Sequence, residues 1–170
     1  SLSKGKTVIK IEDEVKHARN YMNIQKIRYK NSFEVDFQIE EDILDGCIVK
    51  LVLQPLLENA IYYGMEFMDG EGEIHVRGYR KDKDVYLEVE DNGKERPHKH
   101  GSGVGLVNVH SRLKLRFGEA YGLVIHSCPD EGMMVQIHIP YIPYTVETQK
   151  FLESGKDYSS VSASGKEGSE

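Results

Sequence analysis

The feature that most constrains the fold is the apolar run from Ile48 to Gly64, which carries QPLLENAIYYG at residues 54–64. Leu51, Leu53, Leu56, Leu57, Ala60 and Ile61 leave almost no polar face. Such a run predicts a helix, starting near Ile48, buried against a sheet. Gln54, Glu58 and Asn59 interrupt it, and Pro55 sits in its middle. A proline inside a helix removes the bond from its own nitrogen to the preceding turn, here to the Leu51 carbonyl, at about 3 kcal/mol. Buried polar groups destabilise unless partnered. On these residues alone Asn59 keeps two readings, a satisfied core amide or a ligand at a site.

The flanking patterns supply the layers. Val15, Ala18, Met22, then Ile24 or Gln25, and Tyr29 recur at helical intervals and predict an amphipathic helix over residues 12–30. Phe33, Val35, Phe37 and Ile39 alternate with polar residues as a half-buried strand. Beyond Gly64, Ile74, Val76 and Gly78 and then Val85, Leu87 and Val89 predict two strands, with RKDKD as the hairpin link. The second strand runs into the turn Asp91-Asn92-Gly93. After a polar loop, GSGVG at residues 101–105 reads as a glycine-rich loop opening a helix from Leu106 to Phe117, which Gly118 ends. Two last strands, residues 122–127 and 133–140, flank a turn at Pro129-Asp130.

This order implies an α/β, two-layer sandwich: a mixed sheet with helices packed on one face. The expected division is residues 1–31 as the end of a preceding helix and linker, 32–142 as the domain, and 143–170 as a disordered tail rich in Ser, Gly and Lys. A formal charge of -6 opposes nucleic-acid binding, which needs a clustered positive surface. Cys47 and Cys128 sit in apolar contexts without metal-ligand spacing and read as buried thiols of a reducing compartment. No apolar run reaches membrane-spanning length, and SLSKGK lacks the apolar stretch of a signal peptide. The expectation is a soluble, cytosolic fragment.

Three local signals carry chemistry. A glycine-rich loop at a helix start offers backbone N–H groups and a positive dipole end to phosphate, and glycines allow close approach. Asp91, an acceptor at neutral pH, suits the exocyclic amine of adenine and would reject the carbonyl of guanine. Asn59 supplies a neutral oxygen of the kind that joins waters and phosphates around Mg²⁺. Each signal alone also reads as a turn or a core amide.

The ordered boxes QPLLENAIYYG, DNG and GSGVGLVNVHSRL followed by FG resemble the ATP-binding domain of sensor histidine kinases, in the GHKL ATPase superfamily. The similarity points to the LytS/YesM-like subfamily and covers about Glu12 to Pro140, including the upstream NYMNIQKIRY. The resemblance implies a Bergerat-type fold and a protein-histidine kinase activity with ATP and Mg²⁺ as cofactors. Asn59 would hold Mg²⁺ and Asp91 would select adenine. Tyr62, Tyr63, Gly93, Ser102, Gly103, Val104, Gly105 and Leu106 would line the nucleotide, and Glu58 would be the candidate catalytic carboxylate. The implied partners are a phosphoacceptor helix, a response regulator and a second subunit. The implied location is the cytoplasmic side of a membrane-anchored bacterial sensor.

Several positions depart from the family pattern. Tyr62 and Tyr63 stand where Lys then His are usual, Glu95 replaces a glycine, and Met134 is aligned with a threonine that supports the adenine-binding Asp. Arg96, His98, Lys99 and His100 of a short lid are candidates to restore positive charge. Pro55 occupies the place where ATP-hydrolysing relatives carry a general base, one turn before Asn59. His17, His110 and His126 read as surface or strand residues, not as the phosphoacceptor. The rivals are a non-catalytic interaction module of the same fold and a serine kinase of the anti-sigma type.

Overall fold

The computed structural model describes residues 5–65, 68–94, 102–128, 130–156 and 158. Along the chain run β1 (Val8–Lys10), α1 (Ile11–Arg28), β2 (Phe33–Ile39), β3 (Cys47–Val49) and α2 (Leu53–Asn59). There follow β4 (Gly72–Lys81), β5 (Asp84–Asp91), α3 (Ser102–Phe117), β6 (Gly122–Cys128), β7 (Gly132–Pro140) and α4 (Val146–Glu153). Five strands pair in the order β2-β4-β5-β7-β6, with β2 parallel to β4 and the other ladders antiparallel. The fold is the expected α/β sandwich, a mixed sheet with helices on one side.

Alternation decides the two faces. Ile74, Val76, Val85, Leu87, Val89, Val135, Ile137 and Ile139 are buried in one core with Ala18, Met22, Leu56, Leu57, Val109, Leu113 and Phe117 from the helices. The opposite face is polar, and its buried Glu88 is satisfied. That carboxylate accepts from Arg77 Nε at 3.2 Å, Tyr79 Oη at 2.8 Å and Gln136 Nε2 at 2.6 Å.

The central helix starts later than the apolar run suggests. Cys47–Val49 is a strand paired antiparallel with β1, and α2 begins only at Leu53. Leu51, expected on a buried helical face, is exposed and has φ of 60°. A short apolar triplet has no periodicity that separates strand from helix, so sequence pattern alone misplaces this boundary. Pro55 therefore lies in the first turn of α2, where its missing N–H has no helical partner to lose. The Leu51 carbonyl accepts instead from Arg112 Nη1 at 3.1 Å. The expected kink and its cost do not arise.

The N-terminus of α2 is closed by a residue from another helix. Glu14 of α1 is 1% exposed, and its carboxylate accepts from the backbone N–H groups of Leu51 at 2.9 Å, Val52 at 2.9 Å and Leu53 at 3.3 Å. An anion suits a helix N-terminus, and three converging donors offset its desolvation.

Two further boundaries move. Ser102, Gly103, Val104 and Gly105 form the first turn of α3 and not a loop ahead of it. The tail expected to be disordered from residue 143 contains α4, whose Thr145 side chain accepts from Thr148 N at 3.0 Å while Thr148 Oγ1 accepts from Thr145 N at 2.8 Å. Leu152 is buried, and the Glu153 carboxylate accepts from Val8 N at 3.0 Å, which fastens α4 to β1. Desolvation would raise the Glu153 carboxyl, but hydrogen bonds from the backbone of Val8 and Thr7 and from the side chains of Thr7 and Gln149 hold it below its usual value.

Glu14→Ala should lower unfolding free energy by about 3 kcal/mol, since it strands three backbone donors, those of Val52 and Leu53 buried. For a chain of this size that corresponds to roughly 6–12 °C in Tm. Urea and thermal denaturation of the variant measure it directly.

Candidate functional site

The site begins where α2 ends. Ala60–Gly64 continue α2 as one π-helical turn, a widening often found at functional positions. It places Glu58, Asn59, Tyr62 and Tyr63 along one wall of a cleft of about 540 Å³. Tyr21, Gln25 and Arg28 of α1, with Tyr29 just past its end, form the facing wall, and Gly105 and Leu106 of α3 complete the lining. A Cβ on Gly105 would meet nothing within 4 Å, so glycine there leaves the mouth open without being sterically required.

Asn59 is 8% exposed, and its carboxamide makes no hydrogen bond among the described residues. A buried amide without a partner costs on the order of 1–3 kcal/mol. An oxygen donor left unsatisfied on a cleft wall fits a hard cation such as Mg²⁺, whose remaining ligands would be waters and phosphate oxygens. Next to it, the exposed Glu58 carboxylate accepts from Gln54 Nε2 at 2.9 Å, and the Gln54 carbonyl lies 3.1 Å from His17 Nε2. His17 is exposed, as expected, and its contact with Gln54 extends the chain of side chains that reaches Glu58. Burial, reinforced by the negative charge of Glu58, pushes the Tyr21 phenol up to about 12. It faces the cleft as a neutral hydroxyl.

Asp91 and Gly93 lie deeper and do not line this cleft. Asp91 is buried at the end of β5, and its carboxylate accepts from Gly93 N at 2.9 Å. A Cβ on Gly93 would fall 2.4 Å from the Gly64 carbonyl oxygen, so glycine is required for the turn to close on the π-helical segment. Asn92 anchors that turn on the β4 side, accepting from Glu73 N at 2.7 Å and donating to the Glu71 carbonyl at 3.1 Å.

The register corrects one alignment. Asp91 pairs with Met133, whereas Met134 pairs with Glu90 on the other face. Met133 is therefore the β7 neighbour of Asp91. A shift of one residue in a strand exchanges faces, which is why the sequence alone misassigned it. His110 also differs from expectation: its Nδ1 accepts from Leu123 N at 2.9 Å and ties α3 to β6. The side chains of Ser102, Gly103 and Val104, together with Glu95, Arg96, His98, Lys99 and His100, lie outside the described residues.

Residues 48–143 match the family described as histidine kinase-, DNA gyrase B-, and HSP90-like ATPase. The chain belongs to this family. It is 35% identical over 145 residues to the sensor histidine kinase YesM of Bacillus subtilis (strain 168), covering 82% of this chain and 25% of that protein. It is 29% identical over 142 residues to the sensor histidine kinase BtsS of Escherichia coli (strain K12), covering 83% of this chain and 25% of that protein. The chain thus spans a quarter of the length of these curated relatives. The catalytic domain of the histidine kinase ThkA superposes with a TM-score of 0.60 at 17% identity, over 81% of this chain and 98% of that one. Within this ATPase family, the residues of α1 that face the cleft precede the matched segment. The signal for them was present, since Tyr21, Gln25 and Arg28 recur at helical spacing on one face. Among the described residues, no helix is long and apolar enough to cross a membrane.

Asn59→Leu should leave stability unchanged or raise it by about 1 kcal/mol, because it removes an unpartnered buried amide. Thermal unfolding of the chain without ligand checks this; a clear loss of stability would show that the amide has a structural partner.

Proposed function

We propose that this chain binds Mg·ATP as the catalytic domain of a two-component sensor histidine kinase. The observation that carries the proposal is the buried, unpartnered Asn59 carboxamide on the wall of a cleft, in a chain of this ATPase family. Asn59 would hold Mg²⁺, which when bound neutralises charge on the phosphate oxygens. Asp91 would accept from the adenine amine, with Gly93 fixing the turn beneath the ring. Tyr62 and Tyr63 would meet the phosphates through hydroxyls, and the first turn of α3, Ser102 to Leu106, would offer its N–H groups.

In this reading an imidazole nitrogen of a histidine outside the chain attacks the γ-phosphorus. A P–N bond forms, the P–O bond to the β-phosphate breaks, and ADP leaves. Such transfer depends on positioning and charge neutralisation more than on a protein base. Pro55, in the first turn of α2, leaves no carboxylate one turn ahead of Asn59 to activate water. Glu58, aimed by Gln54, would orient the acceptor imidazole or its water. The phosphate would pass on to a response regulator, and the whole protein would be a membrane-anchored homodimer.

A second reading, a non-catalytic interaction module, draws on the close contact of Gly93 with Gly64 and the placement of Asp91 away from the cleft. Nucleotide titration separates the two. The kinase reading expects Mg²⁺-dependent binding of ATP over GTP, lost in Asp91→Asn. Absence of binding at millimolar ATP would leave the module. Phosphohistidine formed on an added upstream acceptor helix would then test transfer.

A further inference from the structure

The cleft beside Asn59 has a wall that the family match does not include. Tyr21, Gln25 and Arg28 of α1 face Glu58, Asn59 and Tyr62 across it, whereas the matched segment begins at residue 48. Among the described residues that line the cleft, Arg28 is the sole cation and Glu58 the sole carboxylate. A phosphate chain carries several negative charges, and the wall opposite Arg28 offers it only neutral hydroxyl and amide groups beside that carboxylate.

Neighbouring cations on α1 are engaged elsewhere. Lys26 Nζ pairs with Glu34 at 3.5 Å, and the Arg19 guanidinium lies 4.6 Å from the centre of the Phe37 ring. Arg28 is exposed, makes no ion pair among the described residues, and has its guanidinium 5.8 Å from the Tyr29 ring centre. Its planar fork of donors suits two phosphate oxygens at once.

We propose that Arg28 binds the phosphate chain of the nucleotide, making α1 part of the ATP site. This rests on the cleft being that site. The consequence is mechanical. One helix holds the start of α2 through Glu14 and the nucleotide through Arg28, so a displacement of α1 acts on both the Asn59 helix and its ligand. The upstream helix then reports to the site directly, without passing through the sheet.

Calorimetric titration of the full chain with Mg·ATP and with adenosine, for wild type, Arg28→Gln and Arg28→Lys, tests the proposal. Arg28→Gln should weaken ATP about tenfold, the loss of a charge-assisted contact, while adenosine affinity and Tm stay at wild-type values. Arg28→Lys should recover part of the ATP affinity, and the wild-type preference for ATP over adenosine should shrink as salt rises. Wild-type ATP affinity in Arg28→Gln overturns the assignment, as does an equal loss for ATP and adenosine. A wild-type chain that binds neither ligand overturns the ATP reading itself, and Arg28 with it.

Discussion

Three backbone N–H groups at the start of α2 converge on the buried carboxylate of Glu14, and the position of the site follows from that contact. The same stretch is held from its other side. Arg112 of α3 donates to the carbonyls of Leu51 and Lys50, so donors and acceptors of one segment are taken by two different helices. Leu51 is thereby kept at positive φ, a conformation that a leucine adopts only when its surroundings impose it. From this fixed start α2 runs along the sheet, its π-helical end meets Gly93, and Asn59 arrives at the cleft wall.

The polar groups of the molecule divide by whether they are satisfied. Glu14 and Glu88 are buried carboxylates, each surrounded by donors, and both serve the fold. Asn59 is buried to a similar degree with no partner among the described residues. Proteins keep an unsatisfied buried group where function requires it more than stability does. That contrast singles out Asn59 as the candidate site residue within a scaffold whose buried carboxylates are satisfied.

Much of this was legible in the sequence. Alternation located β2, β4 and β5, the turn at Pro129-Asp130 separated the last two strands, and the order of QPLLENAIYYG, DNG and GSGVG pointed to the ATPase family. What escaped was set by tertiary contacts. The triplet Cys47-Ile48-Val49 becomes a strand because β1 lies beside it, and Pro55 is harmless because α2 begins only at Leu53 and leaves it in the first turn. Helix α4 is short, and its Thr145 and Thr148 cap was the overlooked cue. Glu14 was readable too, since it falls at helical spacing between Ile11 and Ala18 on the buried face of α1. For α1 the helical spacing of Tyr21, Gln25 and Arg28 was readable, but not that this face lies opposite Asn59.

The central claim is that the nucleotide sits between α1 and the Asn59 helix, and backbone hydrogen exchange with and without Mg·ATP tests it most directly. Binding there predicts that residues 53–64 and residues 21–29 gain protection together, over the same range of ATP concentration. Protection confined to the polar outer face of the sheet, or present in residues 53–64 with none in residues 21–29, would contradict it.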